Sequence, residues 1–510
     1  MQHKRDLDAT GCYYAATDIG TSKIVILVGK QNDDKKIEII AESMVPSKGV
    51  VRGDIRNTNE VVTGITSAVE KIESEYGIKI LESYVGLSGQ HIKFMQKDGY
   101  VSINNKEGEV TSDDVIRLSK EMNNITIPPG EAIIHILPQS YCIDDDADVI
   151  EPVGMVGNRL NGAFNIVTGN NDKLMLVKRC LNRSNIDMKT IILSSLASAE
   201  AVLIDDAKEL GVVVVDLGGG TTDVAIYHDK TMRFLGVIPI GGELINKDIR
   251  AMGVLERLVE KLKIKFGSAF SDDVADNQVI RLQSPSGEIS QKDLAMVIEA
   301  RIMDIIEALE KMIDDAGYRG KLNGGIVLTG GGSKIKGIDK LFARHFKCAV
   351  SIAKAGMYIS NETKELVDFP EYSTAVGLLL RASLIGKPSK LEFLVTQEEI
   401  QQPEVPVVPP VVRKPVVKIN ESKLNEGRYN QSVGVQKKVN EERKLVEEQI
   451  SPEEKPEFDD FEDGDNDGDN GYKDLVYEEE SNGNIFMRGL RRLRRLVEPD
   501  NDDLEDNKIK

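Results

Sequence analysis

Apolar positions along the first 90 residues follow two different spacings. Residues 13–30 (YYAATDIGTSKIVILVGK), 37–44 and 81–90 are rich in β-branched and aromatic side chains and break at Gly, Asp or Ser, the pattern of strands. Between them, Val61, Val62, Ile65, Val69 and Ile72 recur at helical spacing, which predicts an amphipathic helix over 59–76 with one face on a core. From 91 to 169 the rhythm changes: a polar helix at 112–123, a strand at 132–143 and a turn-rich stretch, EPVGMVGNRLNG, at 151–162. This reads as a small α+β subdomain inserted into a larger sheet-and-helix body. Residues 172–184 are helical by pattern, and 191–206 begin as a strand and continue as a helix of small residues.

The second half repeats the plan. Residues 211–227, GVVVVDLGGGTTDVAIY, read as strand, tight turn, strand; 246–266 and 292–315 read as long helices, the latter with Leu294, Ile298, Ile302, Ile305, Leu309 and Met312 on one side. Residues 325–338, GIVLTGGGSKIKGI, read as a strand, a glycine turn and a helix start with Ser333 as its N-cap. The stretch 371–382, small and apolar, reads as the mate of the helix over 195–204, since small residues let two helices approach closely where domains hinge.

The three glycine turns bring in the chemistry. Gly218, Gly219 and Gly220 let backbone N–H groups approach an anion, Thr221 and Thr222 add hydroxyls, and Asp216 at the strand end is placed to hold a hydrated Mg²⁺. A weaker version stands 198 residues earlier, with Asp18, Gly20, Thr21, Ser22 and Lys23, the lysine adding a cation that reaches phosphate directly. A repeated unit points to internal duplication, and two such turns facing one another would form a phosphate clamp. The third turn, Gly330, Gly331 and Gly332, lacks the last glycine of the dinucleotide fingerprint, and no GxxxxGK[ST] occurs, so neither a Rossmann nor a P-loop site is supported. Glu260 and Lys263 stand three apart on one helix face, the spacing of an ion pair.

Composition narrows the class. A chain of 510 residues supports several domains, and a net charge of −19 argues against general nucleic-acid binding. The four cysteines are scattered without CxxC pairing, which suits reduced thiols, and His91 and His135 stand in apolar contexts as packing histidines. No apolar signal segment follows the charged start, and no run approaches a membrane span. The globular pattern ends near residue 393. Residues 401–417 are Pro/Val-rich and 453–480 densely acidic, so 395–483 read as a disordered tether with a typical span on the order of 50 Å.

The charge then inverts. Residues 484–497, NIFMRGLRRLRRLV, carry Arg488, Arg491, Arg492, Arg494 and Arg495 and no acid, with Phe486, Leu490, Leu493 and Val497 on one helical face flanked by Ile485 and Leu496. A partner-binding helix or an arginine-rich RNA patch would share this charge, but the continuous apolar face favours an interfacial anchor on an anionic membrane surface. Each basic residue near anionic lipid contributes about 1 kcal/mol.

In this order, DIGTSKI, DLGGGTTDVAI and LTGGGSKI resemble the phosphate 1, phosphate 2 and adenosine motifs of the actin/Hsp70/sugar-kinase ATPase superfamily. Within it the chain is similar to the FtsA family of bacterial division actins, on GVVRGDIRN (49–57), VGLSGQHI (85–92), ILPQSY with EPVGMVGNRL (136–160), IPIGGELINKDI (238–249) and the basic amphipathic helix. The resemblance covers residues 13–390 and 484–497 and implies an α/β, two-domain actin-like ATPase fold. It places subdomain 1A at 11–90, 169–205 and 372–392, the inserted 1C at 91–168, 2A at 206–245 and 310–371, and 2B at 246–309. ATP phosphates would lie between Asp18, Gly20, Thr21, Ser22, Lys23 and Gly218–Thr222, with Mg²⁺ on Asp216 through water. Glu260, Lys263 and Gly330–Gly332 would flank the adenosine. The implied partners are FtsZ through 2B, further copies of the chain in a protofilament, later division proteins through 1C, and the cytoplasmic face of the membrane at the septum.

Two departures qualify that pattern. Relatives in the superfamily begin the first hinge helix with a carboxylate that positions water; here Ser194 and Ser195 stand there, which implies ATP binding with slow or negligible hydrolysis. An acidic tail, 498–510, follows the amphipathic helix and would be repelled by anionic lipid. The alternative reading is an enzyme of the superfamily, a sugar kinase or an Hsp70-like chaperone.

Overall fold

The computed structural model describes residues 11–32, 34–144, 146–282, 287–394 and 475–479. Two five-stranded sheets carry the body, and they share one topology. In the first, the strand Tyr13–Ile19 pairs antiparallel with Lys23–Gln31, which pairs antiparallel with Ile37–Pro46. On its other side Tyr13–Ile19 pairs parallel with Glu82–Leu87, followed in parallel by Asp187–Leu193. In the second sheet, Val212–Leu217 takes the central place, with the meander Thr222–His228 and Thr231–Ile238 on one side and parallel Gly325–Thr329 and Val350–Ile352 on the other. The duplication read in the motifs is thus a duplication of sheet topology. Val212 to Val215 are all at most 1% exposed, because helices cover both sheet faces and leave the run no polar side.

Local sequence sets most boundaries. The helix Thr58–Tyr76 starts where the Asn57 side chain accepts from the N–H groups of Asn59 and Glu60, and stops at Gly77, left-handed at φ 67°. Its buried Val61, Ile65, Ala68, Val69 and Ile72 pack on Ile24, Ile26 and Val28 of the first sheet. The inserted subdomain has its own sheet, ordered Asp146–Val149, Glu131–Ile143, Arg159–Asn170, Lys93–Ser102, and its own core around Leu118, Met122, Phe164 and Ile166. Its helix Ser112–Glu121 opens with a capping box between Thr111 and Asp114.

Three expectations change. The helix expected over 246–266 is two helices, Gly242–Ala251 and Glu256–Phe266, because Gly253 takes φ 90° and a residue there cannot continue an α-helix. Ser333 caps no α-helix. It lies in a 3₁₀ turn, Gly331–Lys334, with its hydroxyl donated to Gly330 O at 2.7 Å, and the α-helix begins only at Ile338 after left-handed Gly337. Within the expected tether, Leu475–Glu479 is a strand that pairs antiparallel with Gln278–Leu282, whose other edge carries Glu288–Ser290. The backbone groups of Gln278–Leu282 on that side need partners, and LVYEE is β-prone enough to supply them. The amphipathic stretch 484–497, the rest of 395–483 and the tail 498–510 lie outside the described residues. No helix among those described is long and apolar enough to cross a membrane.

The two halves meet at a pair of helices, Ser194–Val202 and Ser373–Ile385, both almost wholly buried. A Cβ on Gly377 would lie 1.7 Å from Ala197 O, so the two backbones are in direct contact. Beside them, His135 of the inserted sheet accepts a hydrogen bond from Leu193 N–H at 3.2 Å. Burial, helped by the charge of Arg381, lowers its pKa to about 4. An unfolded histidine titrates near 6.5, so between pH 6.5 and 4 the unfolded chain takes up a proton that the folded chain refuses. Stability from this group is complete above pH 6.5 and falls as the pH drops toward 4. Unfolding free energies from urea titration at pH 7 and pH 5 are expected to differ by about 2 kcal/mol more in the parent than in His135→Gln, and equal pH dependence would refute the assignment.

Candidate phosphate clamp

The first and second glycine turns have the same internal wiring. Gly20 N–H donates to Lys23 O and Gly218 N–H to Thr221 O, both at 2.9 Å, so each hairpin closes with the same short loop. The two loops touch. A Cβ on Gly219 would sit 1.8 Å from Ser22 Oγ, and one on Gly220 would sit 2.3 Å from Thr21 Oγ1. Glycine is required at both positions for this approach. The helix Gly242–Ala251 points its N-terminus at the second loop, with Gly242 N–H on Gly218 O at 3.0 Å and Glu243 N–H on Gly219 O at 2.8 Å. The third turn closes the floor: Gly330, at φ 79° and ψ 167°, lies so near that a Cβ there would be 2.2 Å from Asp216 Oδ1.

Three carboxylates converge in this cleft. Burial pushes Asp18 up to about 6 against the pull of Lys23, with Asp216 adding to the rise. Asp216 is also raised by burial, partly offset by the Thr374 hydroxyl, which donates to its Oδ2 at 3.0 Å. Asp223 rises to about 7 through burial and the nearness of Asp216. Lys23 is lowered by burial, and its ammonium donates to Glu371 O across the cleft. Desolvated carboxylates held this close are short of positive charge. A hydrated Mg²⁺ suits that deficit, and Asp18 and Asp216 are the residues that would face it. No cage of three or more His, Cys, Asp or Glu occurs among the described residues, and Mg²⁺ ordinarily keeps water and phosphate ligands instead.

The structure brings together Asp18, Gly20, Thr21, Ser22, Lys23, Asp216, Gly218, Gly219, Gly220 and Gly330. It corrects the part given to the threonines. Thr222 is fully buried, and its hydroxyl donates to Ile240 O at 2.8 Å, so it braces the strand instead of facing a ligand. Thr221 is buried against Asp223 and Ser88. Gly331 is exposed, while Gly332 lies against Leu217. Glu260 and Lys263 form the ion pair their spacing suggests, at 2.8 Å, and both also bond Asn246. Lys263 Nζ lies 3.4 Å from where a Gly242 Cβ would be, beside the second loop. Ser194 and Ser195 open the hinge helix, both buried. Sequence reading missed Ser88, which donates to Asp223 at 2.7 Å from the opposite domain, and Thr374. Asp223 lay in plain view inside DLGGGTTD and Ser88 inside VGLSGQHI, neither with a role assigned; nothing local marks Thr374.

Comparison with known proteins identifies the family. The family described as cell division protein FtsA matches residues 213–377, and the SHS2 domain inserted in FtsA matches residues 89–168. Cell division protein FtsA of Neisseria meningitidis is 36% identical over 72% of this chain and 89% of its own length. That of Pseudomonas aeruginosa is 34% identical over 73% and 89%, and that of Escherichia coli 32% over 71% and 88%. Among solved structures, the PilM-PilN type IV pilus biogenesis complex aligns with a TM-score of 0.51 at 15% identity, covering 72% of this chain and 98% of the other, a likeness of fold alone. With duplicated sheets around a doubled glycine clamp, an inserted subdomain in the expected place and this level of identity over most of its length, the chain belongs to the FtsA family of actin-like cell division proteins.

Proposed function

We propose that the chain binds Mg·ATP between its two glycine turns, assembles with further copies into an actin-like protofilament, and holds FtsZ at the cytoplasmic face of the membrane. The observation that carries this reading is the contact of the two loops across the cleft, Ser22 on Gly219 and Thr21 on Gly220, over carboxylates short of positive charge. Phosphates bound by both loops tie the two halves together, so bound nucleotide sets the angle between them. ATP acts here chiefly as a conformational ligand. Lys263, Glu260, Asn246 and the Gly330 turn provide the edge for the nucleoside. FtsZ is taken by the helical subdomain around 246–309, and later division proteins by the inserted one.

Membrane attachment falls to residues 484–497, with five arginines and a continuous apolar face. The full chain is expected to co-sediment with vesicles containing anionic lipid and to bring FtsZ down with it in Mg·ATP. Leu490→Glu places a charge in the apolar face and is expected to reduce vesicle binding at least tenfold, with no change in ATP affinity. Sedimentation of the variant equal to that of the parent would sink the anchor assignment, and FtsZ left in the supernatant beside vesicles, chain and Mg·ATP would sink the tether.

A further inference from the structure

The hairpin formed by Val50–Val51 and Asp54–Ile55 has no role in the clamp as described, yet it touches both phosphate loops. Its two turn residues, Arg52 and Gly53, have φ 51° and 77°, the left-handed pair that a tight two-residue hairpin turn demands. That turn is wedged between the phosphate loops. Arg52 N lies 2.9 Å from where a Gly220 Cβ would be, and Gly53 N–H donates to Thr21 Oγ1 at 3.4 Å. A Cβ on Gly53 would also meet Ser88 O at 2.9 Å, next to the hydroxyl that bonds Asp223.

The other end of the hairpin holds the inserted subdomain. Asp54 is 8% exposed; its Oδ2 accepts from Lys173 Nζ at 2.6 Å, and its Oδ1 lies 3.3 Å from His91 Nδ1. His91 precedes the first inserted strand, which starts at Lys93, and Lys173 follows the last, which ends at Asn170. Both covalent crossings into the subdomain therefore meet on one carboxylate. Burial and the nearby Lys173 keep His91 below its ordinary pKa, and Arg56 approaches Asp54 to 3.7 Å from the solvent side. The His91 ring is itself almost wholly buried beside that carboxylate. On its far side the inserted sheet is tied to the second domain: Gln139 donates to Met232 O at 2.9 Å and Asn165 to Arg233 O at 3.2 Å. The subdomain thus spans the two halves that the clamp draws together.

We propose that the hairpin 50–55 relays occupation of the phosphate clamp to the inserted subdomain, with Asp54 as the positioning residue that fixes the subdomain's angle. The relay rests on the nucleotide reading above. Its test is hydrogen exchange of the full chain with and without saturating Mg·ATP, alongside ATP affinity measured by calorimetry, for the parent, Asp54→Asn and Lys173→Met. ATP is expected to change exchange across 93–170 in the parent. In both variants that ATP-dependent difference should fall at least threefold, while ATP affinity stays within threefold of the parent. Asp54→Glu, which keeps the charge, is expected to recover part of the difference. A residue with only a structural role would raise exchange equally with and without ATP and leave the difference intact, which would overturn the proposal. So would a parent that binds ATP without any change in 93–170, or variants that lose ATP binding itself. A parent that binds no ATP would instead remove the nucleotide reading, and the relay with it.

Discussion

Gly377→Val is expected to destabilise the protein by at least about 4 kcal/mol, enough to leave little of it folded at 37 °C. The reason is geometric. A Cβ at this position would fall 1.7 Å from Ala197 O, 2.3 Å from Ala197 C and 2.9 Å from its Cα, all backbone atoms of the opposing helix. No side chain can rotate out of the way, so the helices Ser194–Val202 and Ser373–Ile385 must part. Parting them opens a core in which Ala197, Ala199, Ala201, Val376, Leu378 and Leu379 are at most 5% exposed. Overpacking where side chains yield typically costs about 1–3 kcal/mol; a collision with backbone at a helix crossing exceeds that range. Thermal unfolding followed by circular dichroism decides the matter, with Gly377→Ala expected at an intermediate midpoint. A valine variant melting within 1 °C of the parent would show that these helices are not in contact in solution.

Gly330→Ala is expected to leave the fold in place and lower ATP affinity at least 100-fold, equivalent to about 2.7 kcal/mol. Gly330 occupies a region of backbone space that is essentially reserved for glycine, φ 79° with ψ 167°, and an alanine there carries about 1–3 kcal/mol of strain. The added methyl would also lie 2.2 Å from Asp216 Oδ1 and 2.7 Å from Leu217 O. Asp216 is held by Thr374 on the hinge helix, so displacing it breaks the link between the floor of the cleft and the hinge. Calorimetric titration with Mg·ATP, beside an unchanged far-ultraviolet spectrum, is the measurement. Affinity within threefold of the parent would remove Asp216 and the third turn from the site. The two substitutions separate cleanly, since one tests the hinge through stability and the other tests the clamp through binding.

Much of this was readable from single stretches of chain. Strand–glycine–strand runs at 13–30 and 211–227 specify their hairpins because β-branched residues flank a turn that only glycine can make as tightly. Asn57 and Gly77 bracket one helix through groups within four residues of the ends they cap. The basic face of 484–497 and the acidic stretch before it are likewise properties of composition and spacing.

What sequence alone determined is therefore the set of local units: two equivalent glycine turns, a third beside them, an inserted α+β block and a basic amphipathic segment. Tertiary structure decided how they act on one another. Ser88 and Asp223 stand 135 residues apart, Asp216 and Thr374 158, and Asp54 and Lys173 119, and no local pattern announces such pairs. It also decided that Thr222 turns toward Ile240 O and that Gly253 breaks a helix whose apolar spacing ran on unbroken. Spacing along a chain fixes which residues share a face, because backbone geometry repeats every few residues. Which faces meet, how closely, and which carboxylates lose their water depends on the packing of the whole molecule. That packing turns two ordinary hairpins into one clamp.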